Sequence, residues 1–598
     1  MSYSNPPNND LSECRENGSL NPYWLPPAEL REFFDSDTSV EVVLYRLKNP
    51  SLIWLNERVL HHDPAFLECD SDVERYAKRL CENCAYVAYE EEIKDKIIEK
   101  DRIIASSDRY GGGAIGTNGG SGRAAFVNGY LVKGTGKTPL IGMHTESTHA
   151  TGGAYLEESI RETIFSELFA YEFPHSSIPN IAVIDTGIVQ KWDLGGSIKT
   201  ERRVLLVRPS FIRPAHMERA VYYLSSNFLE GTLDNIRVDR VIKKLISKTG
   251  NNGLSNLLEN FFINWARQLA YGYIHRISLG GNTTSNICLD GKLLDFGAAS
   301  ALPSWGSFTM ISNLAPTGTE FQTVAHAISS VLYYFNKHSI EKINISECIE
   351  EITSKSWSAY VNEYLIQTLR LCGFSYESAA SLLTGSCSGY VRLVIERVHK
   401  WYRKYRFDIV DFTPLVTLGN GIVEVWDDPV PAHLIELRAL LNEHLDEFEL
   451  RTHLLNSRAR NSARPSLFRE EMKDRLYKEV EKANDGVEIN AYFMKEFVRG
   501  EVVRSRRDHR LIVPREFVVD AYCLSNDFSV IVLRSILNQE LVGYVEWVTL
   551  QSPLQSIITK ENLVAESRLC LKVRTLSNEA LEFQNSPGKK ILCTVSRV

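Results

Sequence analysis

Apolar residues recur at three- and four-residue spacing between Ala154 and Phe173, where Leu156, Ile160, Ile164, Leu168 and Tyr171 share one face of a predicted helix. A longer stripe, Leu254, Leu257, Leu258, Phe261, Phe262, Trp265 and Leu269, predicts a second helix, and Phe321, Val324, Ile328, Val331, Leu332 and Phe335 a third. Residues 71–100 read as helical, with Glu90, Glu91, Glu92 and Lys94 on a solvated face. Two short apolar runs, 123–127 and 130–133, flank Asn128-Gly129, the dipeptide best suited to a two-residue hairpin because both positions take positive φ. Residues 181–184 and 204–207 predict further strands, and Ile287-Cys288-Leu289 and Leu293-Leu294 form a second hairpin around Asp290-Gly291. The chain looks helical again over 339–401 and, through Leu434, Leu437, Leu441, Leu445 and Phe448, over 431–484. From Glu516 onward the pattern switches to β-type runs.

This order predicts an α+β chain. A disordered or extended segment at 1–40 precedes a part at 41–212 with a helical beginning and an antiparallel sheet. A mostly helical part follows at 213–425, then a helical extension at 426–510 and a small β or α+β unit at 511–598. Of the 598 residues 44% are hydrophobic, and no apolar run approaches the ~18 needed to cross a bilayer, so a soluble chain without a membrane partner is expected. Met1 to Pro27 lacks the basic start and apolar core of a secretory signal, which points to the cytoplasm. A formal charge of −8 disfavours a nucleic-acid partner, and the basic run Arg504 to Arg510 reads as solvated surface. The 11 cysteines are scattered and suit reduced core thiols, with Cys81-x-x-Cys84 read as a helical pair because no second pair of zinc ligands accompanies it.

Candidate chemistry lies between Asp108 and Phe296. A glycine-rich run, Gly111 to Gly122, precedes Arg123; Lys133 ends the strand Tyr130-Leu131-Val132; Glu162 lies on the first amphipathic helix; Asn286 stands before Leu293-Leu294-Asp295-Phe296-Gly297. Glycines let a backbone approach phosphates, a lysine neutralises them, a glutamate orients the lysine, and Asn with Asp holds magnesium. These parts stand in the order found in protein kinases, which predicts a bilobal kinase-like fold with an antiparallel N-lobe and a helical C-lobe. Each has a blander reading: Lys133 and Glu162 as a surface pair, Asn286 and Asp295 as turn caps, Arg213 as a structural ion pair. His275 and Arg276 lie too far from Asn286 for a catalytic loop and read as helix-end residues. His144 and His149 offer no convincing metal spacing.

Four segments, Asn118 to Ala124, Val132-Lys133-Gly134-Thr135-Gly136-Lys137-Thr138-Pro139, Ser159-Ile160-Arg161-Glu162 and Pro209-Ser210-Phe211-Ile212-Arg213, resemble in order the signature segments of the selenoprotein O family. Those proteins are kinase-fold adenylyltransferases that move AMP from ATP to protein hydroxyls. The resemblance spans roughly residues 40–340 and implies ATP with magnesium or manganese as cofactors and a protein or peptide as substrate. It implies Gly120, Gly122, Arg123 and Gly152 as nucleotide contacts, Lys133 with Glu162 as the phosphate lysine and its partner, Arg213 as a phosphate arginine, and Asn286 with Asp295 as metal ligands. Departures fall at Ser285, where the family has its base; at Ala150-Thr151-Gly152-Gly153, which lacks an acid and an arginine; and at Leu279-Gly280. Leu206 replaces an arginine, for which Arg208 is a stand-in on the same strand face. Asp290 and Asp193 remain as substitute acids. Two alternatives accompany AMP transfer: a catalytically impaired ATP-binding module, and an ATP-using subunit of a microcin-type peptide-modification system.

Overall fold

Asn128 and Gly129 both adopt positive φ, 48° and 94°, and turn strand β5 (Ala124–Val127) tightly into β6 (Tyr130–Lys133), with Val127 paired to Tyr130. The hairpin sits inside a nine-stranded sheet. Its other members are β1 (Val40–Leu47), β2 (Ser51–Leu55), β3 (Tyr86–Ala88), β4 (Ile97–Ser107), β7 (Ala154–Tyr155), β8 (Ala182–Asp193) and β9 (Ile198–Pro209). The order is β2-β8-β9-β6-β5-β4-β1-β3, with β7 also paired to β9, and every pairing is antiparallel.

The computed structural model describes residues 33–385 with breaks at 113–116, 146–149, 194, 225–227, 304, 310–314, 372–373 and 375, then 389, 392, 464 and 467–505, and separate strands between 416 and 594. The chain divides into two compact units, one of Met1–Tyr364 with Leu467–Arg499, the other of Leu365–Ser466 with Gly500–Val598. The sequence placed both described helices of 467–505 in a separate extension; most of that stretch belongs to the first unit. Together these elements form a mixed α and β architecture of the α+β class.

In the first unit, α1 (Val73–Cys84) begins at Asp72, whose carboxylate accepts from the Glu74 and Arg75 amides. The predicted helix over 71–100 ends there. Tyr86, Val87 and Ala88 are buried and pair with β1, and Ile97–Ser107 forms a long strand, so tertiary burial overrides the charged helical pattern. Asp63 ties this region together by accepting from Tyr130 at 2.7 Å and from Tyr76. The extended segment predicted for 1–40 is packed at its end: Phe33 and Phe34 are buried, and Phe34 stacks on Phe126 at 4.1 Å. Each such aromatic side chain contributes on the order of 2 kcal/mol of burial.

Helix α2 (Leu156–Glu172) carries Glu157 and Glu158 in its first turn, where the helix dipole favours anions, and stops before Pro174. It is buried nearly all round rather than along one stripe, because α8 (Arg469–Asn484) covers it as well as β9. The intervening helices are α3 (Phe228–Thr249), α4 (Asn251–Ile274), α5 (Phe321–His338), α6 (Ile345–Leu371) and α7 (Tyr376–Thr384). On α4 and α5 the predicted apolar stripes are buried, apart from Leu257 at the stripe edge and half-buried Phe321. The return of the chain is fastened by Arg202 N–H donating to Asn484 Oδ1 at 2.6 Å and Arg469 N–H to Ser300 Oγ at 3.2 Å.

The second unit holds Val416–Leu418 antiparallel to Gly421–Trp426, which pairs in parallel with Arg510–Pro514. A four-stranded antiparallel sheet covers Phe517–Ser525, Phe528–Ser535, Leu541–Val548 and Ile557–Ile558, and a three-stranded one covers Cys570–Lys572, Ala580–Gln584 and Lys590–Thr594. The predicted helical stripe from Leu434 to Phe448 lies outside the described residues. No described helix is long and apolar enough to cross a membrane.

Candidate functional site

Lys133 closes β6 opposite Leu206 of β9, and Leu131 stands opposite Arg208. Strand alternation therefore puts Lys133 and Arg208 on one sheet face. Glu162 of α2 meets both: Oε2 accepts from Lys133 Nζ at 2.7 Å, and Oε1 pairs with the Arg208 guanidinium, whose Nε donates to Asn180 Oδ1 at 3.0 Å. Lys133, Arg208 and Glu162 are all buried, which removes the surface-pair reading.

Asp295 reaches the same ammonium from the loop after the second hairpin, with Oδ1 at 2.8 Å from Lys133 Nζ. That hairpin is a single bridge, Ile287 with Leu293, closed by the Cys288 amide donating to the Lys292 carbonyl at 2.8 Å. Asp295 itself has φ of 64°, a conformation that costs a non-glycine residue about 1–2 kcal/mol and is commonly retained where geometry serves a site.

Glu158, one turn before Glu162, had no assigned role in the sequence. Its Oε1 accepts from Arg123 at 3.0 Å and lies 3.4 Å from Lys133 Nζ. Three cations, Lys133, Arg123 and Arg208, thus interlock with three carboxylates, Glu158, Glu162 and Asp295. Burial alone would raise the Asp295 carboxyl, but Lys133, Arg208 and Arg123 outweigh it and hold it well below the usual carboxylate range. Burial of Glu158 is outweighed in the same way by Arg123 and Lys133.

The glycines serve close approach. Gly120 packs so that a Cβ would fall on the Asp108 carbonyl, Gly122 so that it would meet Ile141 Cγ1 at 2.8 Å, and Gly152, at φ of 71°, so that it would fall on Gly136. Gly136 donates to the Gly152 carbonyl at 3.1 Å, which joins the segment after β6 to the start of α2. Gly152→Ala is expected to destabilise the protein by on the order of 2 kcal/mol or more, since the added carbon meets backbone on both strain and space. Urea unfolding checks it; a loss under about 0.5 kcal/mol would mean the two loops are not locked together. Gly113 to Gly116 and His149 lie outside the described residues.

Arg213 is not part of the three-by-three cluster. Its guanidinium donates to Asp108 Oδ2 at 3.0 Å and to the Ser285 carbonyl, and it stacks over Tyr110 at 4.6 Å. His216 completes this group: Nδ1 accepts from the Arg213 amide at 2.9 Å, so Nε2 carries the proton and donates to Asp108 Oδ1 at 2.8 Å. Burial disfavours the charged imidazole and lowers the His216 value. The sequence reading had used Asp108 only as the start of the candidate region and gave it no role, although it stands three residues before the glycine-rich run.

The Ser285 hydroxyl shares a 2.7 Å hydrogen bond with Thr283, and Asn286 Nδ2 donates to the Gly281 carbonyl at 2.9 Å. Asn286 and Asp295 are joined through backbone, by the Leu294 amide donating to the Asn286 carbonyl at 3.2 Å. Both proposed substitute acids serve turns instead: Asp290 accepts from the Lys292 amide at 3.0 Å and Asp193 from the Gly196 amide at 3.0 Å. A buried acid that the sequence reading missed, Glu218, accepts from Thr284 and from Ser330 at 2.5 Å, and burial raises its carboxyl. His275 caps the end of α4, and Arg276 lies over Trp305 at 4.6 Å. Burial pushes the Cys81 thiol up to about 11 and raises that of Cys84 as well, as befits inert helical thiols.

Among the described residues no three His, Cys, Asp or Glu side chains form a group able to hold a metal ion. No protein-family model matches the sequence, and no curated protein matches it.

Proposed function

We propose that the first unit is a bilobal, kinase-like nucleotide site and that the chain transfers AMP from ATP to a hydroxyl of a protein or peptide. The observation that carries the nucleotide reading is the buried Lys133 ammonium, held at 2.7 Å by Glu162 from a helix and at 2.8 Å by Asp295 from a loop, with Arg123 and Arg208 alongside. Buried cations of this density fit a polyphosphate, and phosphoryl and nucleotidyl transfers depend chiefly on such positioning. The choice of AMP over phosphate rests on the resemblance to the selenoprotein O family.

Asn286 and Asp295 would hold magnesium or manganese. The donor set fits: Nδ2 of Asn286 is committed to Gly281, Oδ1 meets the Ser285 hydroxyl only at a long 3.5 Å and can turn to a hard cation, and one carboxylate with one amide oxygen suits an ion that retains waters and takes phosphate oxygens. Bound there, the ion would offset charge on the phosphates. In the transfer, the acceptor oxygen bonds to the α-phosphorus, the bond to the β-phosphate oxygen breaks, and pyrophosphate leaves. The hydroxyl proton passes to water, since no carboxylate stands at position 285 to take it.

Ser285 favours a second reading, an impaired ATP-binding module, because a hydroxyl bonded to Thr283 cannot take a proton as a carboxylate would. Incubation with α-labelled and γ-labelled ATP in parallel decides between them. Acceptor labelled only from the α position is the expected result, with Ser285→Asp raising the rate by up to ~100-fold. Label from the γ position would overturn AMP transfer. ATP binding without any label in either protein would establish the binding module.

A further inference from the structure

Glu158 stands on α2 one turn before Glu162 and has no part in the nucleotide reading above, on which this inference rests. Its carboxylate lies against the two groups that reading gives to the phosphates, 3.0 Å from Arg123 and 3.4 Å from Lys133. The arrangement has been given room. A Cβ on Gly297 would stand 2.8 Å from Glu158 Oε1, and Arg161 fixes that glycine by donating to its carbonyl at 3.0 Å.

The three cations and three carboxylates of the cluster balance, so the site is electrically satisfied without any ligand. A polyphosphate can use Arg123 and Lys133 only if a carboxylate yields them. Glu162 cannot, being clamped between Lys133 and Arg208 with its side chain 1% exposed. Asp295 is the residue assigned to the metal. Glu158, 24% exposed, has a path to solvent and, among the described residues, no side-chain bond besides those to Arg123 and Lys133.

We infer that Glu158 is a built-in anion that occupies Arg123 and Lys133 until the phosphates of a nucleotide displace it. It keeps buried Lys133 and half-buried Arg123 paired in the ligand-free protein and, by the same contact, weakens phosphate binding. Other anions are thereby excluded unless they bring enough charge to compete, which favours a triphosphate over monophosphate.

The test uses the full chain and Glu158→Gln, titrated calorimetrically with inorganic tripolyphosphate without metal and with ATP plus magnesium. The expected result is tripolyphosphate binding about tenfold tighter in E158Q, the size of one nearby charge removed at a partly screened site. The ligand-free melting temperature should fall by a few degrees, because Arg123 and Lys133 lose a partner. If E158Q does not fold, Glu158→Ala removes the same charge and carries the same comparison. Unchanged or weaker tripolyphosphate binding in a folded variant overturns the inference. Weaker ATP binding only in the presence of magnesium also overturns it, by making Glu158 an ion ligand. Wild-type ATP binding that the substitution leaves unaltered sinks the Glu158 inference alone, whereas no binding of ATP or tripolyphosphate by either protein sinks the nucleotide reading as well.

Discussion

If the proposed nucleotide site is right, ATP and magnesium stabilise the wild-type protein, and replacing Asp295 with alanine is expected to abolish that stabilisation. At a ligand concentration about 100 times the dissociation constant that stabilisation is about 2.7 kcal/mol, large enough to read in a thermal-shift experiment. Among the described residues, the carboxylate is the only acidic group bonded to Lys133 that also lies next in sequence to the hairpin carrying Asn286. Without it the phosphates and Lys133 would meet with no bridging ion. A wild-type protein that shows no shift at millimolar ATP would end the nucleotide reading, and a variant that keeps the full shift would move the metal elsewhere. The substitution also has a ligand-free cost, about 1–2 kcal/mol after screening for a side chain 31% exposed. Asp295 titrates below its unfolded value because Lys133, Arg208 and Arg123 overcome the effect of burial. Its contribution is therefore complete above about pH 4 and is lost as pH falls through the lower folded value, so the gap between wild type and variant should close in acid.

Asp108→Ala should produce the largest loss of stability, about 3–5 kcal/mol, because it leaves a buried guanidinium and a buried imidazole without their shared acceptor. Asp108 is fully buried and receives Arg213 at 3.0 Å and His216 at 2.8 Å. Asp108→Asn should cost less, since one amide oxygen can still accept one of the two donors. Guanidinium unfolding measures both. A loss below about 1 kcal/mol for the alanine variant would show that water replaces the carboxylate. Arg213 also donates to the Ser285 carbonyl, so the same substitution should loosen the loop that carries Asn286.

Local signals with a single geometric solution were readable in the sequence. Asn128-Gly129 admits one kind of turn, and the stripes of α4 and α5 admit one helical face toward a core. The convergence of Lys133, Glu162 and Asp295 was legible because a lysine ending a strand, a glutamate on the following helix and an aspartate after a later hairpin stand in the order that predicts it. Arg208 was legible through strand alternation, and its pairing with Glu162 follows from the β6 and β9 register. What sequence could not give is what tertiary packing decides. Tyr86-Val87-Ala88 is too short and too embedded in charge to announce a strand, yet the sheet buries all three residues. Phe33 and Phe34 follow a polar stretch, and only their stacking on a distant strand brings them into the core. Glu158 was hidden differently. A glutamate in the first turn of a helix has a sufficient local reason in the dipole, so nothing in the sequence pointed to its second role beside Arg123.

The interrupted path of the chain has a consequence for synthesis. The first unit is left at Tyr364 and resumed at Leu467, and α8, which covers α2 and β9, belongs to the resumed part. On a ribosome the sheet and α2 emerge well before the helix that shields them. About 260 residues separate the end of β9 from the start of α8, which at roughly 5–20 residues per second leaves apolar surface waiting for tens of seconds. During that interval the nascent chain is open to holdases and to association with its neighbours. A fragment cut at Tyr364 would remain in that condition permanently.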